Sequence, residues 1–195
     1  MVMIKLNNNY YFLRHGEAES NIEPRFMCSL PEPKKAHLTS YGKKQIQKIA
    51  KILKKKNIDL IFVSDLTRTK ETAKIISKEI KKPIIFSKNL RELKFGIFNG
   101  LHPNTYRAYF KNPEQKFTKK IPQGETLNQC LKRIWPFFQK INQQYKDKNI
   151  LIISHADPLW LLESKIKNRN KKQMIAAYRF RFKTGELRFF EKTND

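Results

Sequence analysis

The sequence predicts an α/β protein: a three-layer sandwich with a mostly parallel central sheet, helices on both faces and an antiparallel C-terminal hairpin at the edge. Three observations carry this. Apolar runs of strand length recur at Tyr10–Leu13, Ile58–Val63, Pro83–Phe86 and Ile150–Ile153. Segments with apolar residues at helical spacing lie between them. The tail alternates aromatic and basic residues on either side of Thr184-Gly185. Strands that alternate with helices form parallel sheets covered on both faces.

The elements follow in order. Tyr10–Leu13 ends at polar Arg14 and Gly16 and reads as a buried strand. Thr39 is a good N-cap, and Ile46, Ile49, Ala50 and Leu53 then recur at helical spacing with lysines between them. Ile58–Val63 is the second strand. Arg68 to about Ile80 reads as a helix, with Ala73, Ile76 and Ile80 on one face. Pro83–Phe86 is the third strand. From Leu90 to Gln123 the glycines and prolines at positions 96, 100, 103, 113 and 122 break the pattern into a loop-rich excursion. Glu125 to about Tyr145 is a long helix that Pro136 is expected to kink or split. Ile150–Ile153 is the fourth strand, and a helix follows Pro158. In the tail, Tyr178, Phe180 and Phe182 alternate with Arg179, Arg181 and Lys183 before the turn into Leu187–Phe190, which reads as a hairpin.

Composition bounds the function. With 195 residues, 39% hydrophobic and 30% charged, the expectation is one globular domain over residues 1–195. No apolar run approaches the ~18 residues of a membrane span. Met1 to Leu13 shows no secretory pattern, so a cytoplasmic location is expected. Cys28 and Cys130 are too few for a disulfide framework and read as reduced structural thiols. The net charge of +24 attracts anions at long range. The lysines are spread in short clusters in a chain rich in Lys, Ile and Asn, so biased codon usage accounts for them and a nucleic-acid partner is not expected. Neither the histidines nor the cysteines show metal-ligand spacing, and His37 and His102 read as surface or capping residues.

Chemistry gathers where polar residues leave the strands. Ligands of open α/β sheets bind beyond the carboxyl ends of the strands. Here the first strand runs into Arg14-His15-Gly16-Glu17, the second into Ser64-Asp65 with Arg68 following, and the fourth into Ser154-His155. Arg91 and Glu92 come just after the third. Parallel strands would place all four exits at one pole. Arginine binds phosphate oxygens bidentately, neutral imidazole is a nucleophile, and a carboxylic acid can protonate a leaving alkoxide. That set suits phosphoryl transfer.

The ordered segments Tyr10-Tyr11-Phe12-Leu13-Arg14-His15-Gly16-Glu17 with Asn21, Leu38-Thr39-Ser40-Tyr41-Gly42, Ser64-Asp65-Leu66-Thr67-Arg68-Thr69, Leu90-Arg91-Glu92, Gly124-Glu125-Thr126 and Ile153-Ser154-His155 resemble the histidine phosphatase superfamily, in its phosphoglycerate mutase-like branch. The resemblance implies that His15 attacks phosphorus and carries a transient phosphohistidine. It implies that Arg14 and Arg68 hold phosphate oxygens, with Asn21 contacting the phosphate from the next loop. His155 would donate to the same phosphoryl group, and Glu92 would protonate the leaving oxygen and then activate water. No metal or organic cofactor is implied. The chain departs from the family after His155, where Ala156-Asp157-Pro158 replaces small residues. Some phosphatases of the superfamily use an Asp directly after the second His as proton donor. Asp157 lies one position later, and that role is not transferred to it.

Cofactor-dependent mutases of the family carry a longer insertion over the cleft than the Leu101–Ile121 segment here, so a metal-independent phosphomonoester phosphatase acting on a small phosphorylated metabolite is expected. Phosphoglycerate mutase-type transfer is the alternative, and a basic binding module for nucleic acid or another anion on the same scaffold is a second. Tyr106, Arg107, Lys111, Lys116, Lys119 and Lys120 lie in the excursion, either solvated or facing a second acidic group of the substrate.

Overall fold

A computed structural model describes residues 4–193. Its centre is a five-stranded sheet built from β1 (Asn9–Arg14), β2 (Leu60–Val63), β3 (Ile84–Phe86), β4 (Asn149–Ser154) and β5 (Leu187–Phe190), in the order β3-β2-β4-β1-β5. The first four are parallel, and β5 runs antiparallel beside β1.

Residue alternation along the strands decides which helices cover which face. Tyr10, Phe12, Phe62, Ile150 and Ile152 point to one face, where they meet Ile134, Phe138 and Ile141 of α4 (Leu127–Gln144) and Leu159 and Leu162 of α5 (Ala156–Ile166). Their neighbours Tyr11, Leu13, Ile61, Val63, Leu151 and Ile153 point to the other. There they pack on Ile46, Ala50 and Leu53 of α1 (Ser40–Lys54) and Ala73 and Ile76 of α2 (Thr67–Ile80). Each fully buried Leu, Ile, Val or Phe among them contributes about 1.5–3 kcal/mol by leaving water. Thr39 caps α1 as expected, its hydroxyl accepting from the Gly42 amide at 2.9 Å and donating to Glu17 Oε1 at 2.8 Å.

A third apolar cluster holds the excursion on the sheet. Phe95, Phe98, Tyr106, Phe110 and Phe117 pack on Trp160 and Leu161 of α5 and Met174 of α6 (Lys171–Ala177). The excursion contains α3 (Pro103–Ala108) and short 3-10 turns. Arg133 of α4 ties its start down, bonding Glu125 at 2.7 Å, the Asn89 carbonyl at 2.6 Å and the Glu92 carbonyl at 3.1 Å.

Three expectations need correction. The hairpin does not form. Tyr178–Phe180 is a 3-10 turn that continues from α6, and β5 is a single edge strand. The aromatic alternation does not define one face, because Phe182 is buried while Phe180 is 61% exposed. Tyr178 instead packs edge-on against Trp160, with ring centroids 5.0 Å apart. Of a kink or a split at Pro136, the split does not occur: α4 runs through it as one helix. The proline lies on the solvent side, where water can satisfy the carbonyl it leaves free. The helix expected after Pro158 begins at Ala156, since a proline in the first turn loses no helical hydrogen bond. Among the described residues no helix is long and apolar enough to cross a membrane.

Candidate active site

Sheet register creates the site. Leu13 pairs with Ile153 and Arg14 with Ser154, so the next residues of β1 and β4, His15 and His155, emerge side by side. Their ring centroids are 5.2 Å apart. Val63 pairs with Ile153 on the other side of β4, which brings Ser64 to His155, and its hydroxyl lies 2.9 Å from His155 Nε2. Gly16 permits the turn out of β1: a Cβ there would stand 2.7 Å from the Gly42 carbonyl oxygen. Arg14, His15, Arg68 and Glu92 line a cleft of about 310 Å³.

His15 is 1% exposed and fixed at both ring nitrogens. Nδ1 lies 2.7 Å from the Gly16 carbonyl, which can only accept, so Nδ1 carries the proton. Nε2 then presents its lone pair, which accepts from Arg68 Nε at 3.0 Å. Burial, and after it the charges of Arg68 and Arg14, hold the His15 pKa well below the imidazole range. The ring is therefore a neutral base with a directed lone pair at physiological pH.

Arg68 leaves the first turn of α2 and is itself 2% exposed. Its remaining nitrogens donate to Cys28 Sγ at 3.0 Å and the Cys28 carbonyl at 2.9 Å. Arg14 donates to the Phe182 carbonyl at 2.8 Å, while its Nε is buried without a partner. Burial lowers the Arg14 pKa to about 10, which leaves it cationic at neutral pH. His155 is the N-cap residue of α5 without a side-chain capping bond, and its Nδ1 is likewise buried without a partner. Burial and the charge of Arg68 hold its pKa well below the usual value.

Glu92 follows the third strand's exit, 9% exposed, its Oε1 accepting from the Leu93 amide at 3.0 Å. Burial, then the nearby Asp157 charge, pushes its pKa up to about 7 against the pull of Arg68 and Arg14. Asn21 also lines the cleft, with its Oδ1 accepting from the Ala18 amide at 3.0 Å.

Of the residues singled out from sequence, Arg14, His15, Asn21, Arg68 and Glu92 line one cleft. His155 is fully buried and stands behind that wall, against His15 and Ser64. Arg91, read beside Glu92, faces away and forms a bidentate pair with Asp65 at 2.6 and 2.5 Å. His37 pairs with Glu71 on the surface, and His102 caps α3 through the Asn104 amide, as expected of both. Of the excursion residues, Tyr106 and Arg107 reach the cleft. Lys116 lies over the Tyr178 ring, 4.6 Å from its centroid, and Lys119 donates to the Tyr109 carbonyl.

Sequence reading missed Ser64 as a partner of His155, Cys28 as a cleft residue against Arg68, and the Asp157–Arg181 pair. The tail residues gave no signal because their alternation read as a strand. Among the described residues no group of three His, Cys, Asp or Glu is placed to hold a metal ion.

The family model of the histidine phosphatase superfamily, branch 1, matches residues 10–191. A relative named "Probable phosphoglycerate mutase GpmB", from Escherichia coli O139:H28, is 30% identical over 161 residues, 80% of this chain and 73% of that protein. Among solved structures, the alpha-ribazole phosphatase of Shigella flexneri superimposes with a TM-score of 0.76 at 25% identity, covering 94% of this chain and 90% of that one. The mycobacterial glucosyl-3-phosphoglycerate phosphatase superimposes with a TM-score of 0.75 at 18% identity, over 92% and 87% of the two chains, a likeness of fold.

Proposed function

This chain belongs to branch 1 of the histidine phosphatase superfamily, and from that premise we propose that it hydrolyses a phosphomonoester of a small metabolite through a phosphohistidine on His15. The observation that carries the reading is the His15 ring: neutral, its tautomer fixed by the Gly16 carbonyl, and its lone pair held toward a wall that also bears Arg14 and Arg68.

In the first step Nε2 of His15 attacks phosphorus in line with the leaving oxygen, forming the N–P bond as the P–O bond breaks. Arg68 transfers its N–H from the ring to a phosphate oxygen, and Arg14 supplies the second guanidinium. Together they stabilise equatorial charge that builds toward the transition state. Glu92, a neutral acid below about pH 7, gives its proton to the leaving alkoxide. In the second step the same carboxylate takes a proton from water, whose oxygen attacks the phosphohistidine. Inorganic phosphate leaves and His15 is restored. His155 and Ser64 back the His15 ring, and Asn21 shapes the rim.

The cleft's outer side carries Tyr106, Arg107, Tyr178 and Arg181. Aromatic faces with guanidinium groups suit a leaving group that is itself polar or anionic. The likeness to a phosphatase of a ribazole phosphate, and to a relative named a mutase, fits a small phosphorylated metabolite without selecting one.

The test is release of inorganic phosphate from an aryl phosphate and a metabolite panel in the presence of a chelator, with His15→Ala as control. Acid-stable, alkali-labile label should not accumulate; alkali-stable, acid-labile label on His15 should. Phosphoryl transfer between two substrate hydroxyls exceeding hydrolysis would replace the phosphatase reading with the mutase one.

A further inference from the structure

Two carboxyl groups line the cleft, Glu92 and Asp157, and their surroundings differ. Asp157 sits in the first turn of α5, 4% exposed, with Oδ1 accepting from an Arg181 nitrogen at 2.9 Å. Arg181 is fixed in turn: its guanidinium lies 3.8 Å from the centroid of the Tyr178 ring, and Tyr178 packs on Trp160. Glu92 accepts from the Leu93 amide, and among the described residues no ion pair forms on its carboxylate. Of the two, Glu92 is the carboxyl without a cationic partner in contact, and burial and then the nearby Asp157 charge raise its pKa.

We propose that Asp157, clamped by Arg181, is a positioning residue for the catalytic proton: its fixed negative charge makes Glu92 the carboxyl that holds the proton until the leaving oxygen needs it. The proposal rests on the reading of Glu92 as proton donor. It gives a task to Asp157 in the Ala156-Asp157-Pro158 stretch and to a tail arginine outside the catalytic set.

Arg181 itself lies within reach of the Glu92 charge and there opposes Asp157. Arg14 from β1 and Arg68 from α2 draw its pKa down. Arg133 from α4 donates to its backbone carbonyl. His15 and His155 are neutral, since their pKa values are held low. The Tyr106 and Tyr178 hydroxyls, facing from the excursion and the tail, stay protonated, burial and then Asp157 having raised them. The Cys28 and Cys130 thiols are raised by burial. Lys116 and Arg107 lie near the Asp157–Arg181 pair. Asp157 is thus the anion that sets Glu92 against this positive surround.

The experiment is the pH profile of kcat on an alkyl phosphate, whose poor leaving group needs the acid, for the wild type, Asp157→Asn, Arg181→Met and Glu92→Gln. The wild type should lose kcat as pH rises through about 7. Asp157→Asn should move that alkaline limb down by ~1 pH unit, so that turnover at pH 8 falls about tenfold while turnover at pH 5 changes little. Arg181→Met should move it the opposite way. A part that is merely structural would lower kcat at every pH and leave the limb in place in both variants, and that result overturns the proposal. Should one variant fail to fold, the other's limb decides. If Asp157→Asn abolishes alkyl phosphate turnover and spares aryl phosphate, Asp157 is itself the donor and the proposal is wrong. If Glu92→Gln keeps full alkyl phosphate turnover, the reading of Glu92 fails first, and the proposal with it.

Discussion

The two walls of the cleft are built in different ways. The inner wall, Arg14 and His15 backed by Ser64 and His155, grows directly from the ends of parallel strands whose register is set by a core packed on both faces. The outer wall, Tyr106, Arg107, Tyr178 and Arg181, hangs on an aromatic cluster of excursion and tail residues without a strand among them. Strand register fixes atoms to within a fraction of an ångström and suits bond making. Side chains on helices and turns can change without disturbing the sheet, and suit recognition. The difference implies that substitutions on the inner wall lower turnover for every substrate, and those on the outer wall change which substrate is preferred.

The sharpest way to break this division is His15→Ala. It should reduce kcat by at least ~10⁴-fold on every phosphomonoester tried, because the covalent route is lost. A single substrate turned over at near wild-type rate would show that the strand ends do not hold the nucleophile. Next in size is Arg68→Gln, which removes the donor to His15 Nε2 and one of the two guanidiniums proposed to hold phosphate. A kcat loss of about 10²–10³ is expected, the usual cost of one transition-state donor. Steady-state kinetics on two unrelated substrates should give the same factor; factors that differ by substrate would move Arg68 to the recognition side.

The same division decided what could be read from sequence. The parallel sheet and the inner wall were legible because each strand is a short apolar run ending in a polar cluster, as in Leu13-Arg14-His15 and Ile153-Ser154-His155. Such runs have one sensible burial, and parallel strands share a pole. The outer wall was not. Arg181 sits in an alternating stretch that satisfies a strand pattern equally well, and only the packing of Tyr178 against Trp160 turns it toward Asp157. The helix Lys171–Ala177 also went unread, although Asn170 and Gln173 form a capping box at its start. Its seven residues are too few to show a period. Cys28 went unread as a cleft residue because a loop carries it, and its contact with Arg68 depends on distant packing.

Glu92 lies where the two walls meet, and its stability cost tests how buried that junction is. A group whose folded pKa lies above its unfolded value stabilises the fold fully below the unfolded pKa and loses that contribution as pH rises through the folded one. For Glu92 the folded value is about 7 and the ordinary one 4.5, so the window runs from pH 4.5 to about 7. Glu92→Gln, neutral throughout, should therefore raise Tm relative to wild type, by little at pH 5 and by about 7–14 °C at pH 8. Differential scanning calorimetry at the two pH values checks it. An increment that stays the same, or shrinks as pH rises, would mean that the carboxylate is solvated or fully paired in the folded protein.

The smallest expected effect is at the rim. Arg107 is exposed and bonds Asn104 within α3 at 3.2 Å, so its guanidinium can turn into the cleft at little cost. Solvent screening limits what such a group contributes. Arg107→Ala should raise KM about 3- to 10-fold for substrates that carry a second anionic group and leave kcat unchanged, since binding is then lost equally from ground and transition states. For a neutral leaving group such as a simple alcohol the variant should match the wild type. The contrast between the two substrate classes is the measurement. A fall in kcat common to both would place Arg107 with the strand-end residues and erase the distinction between the walls.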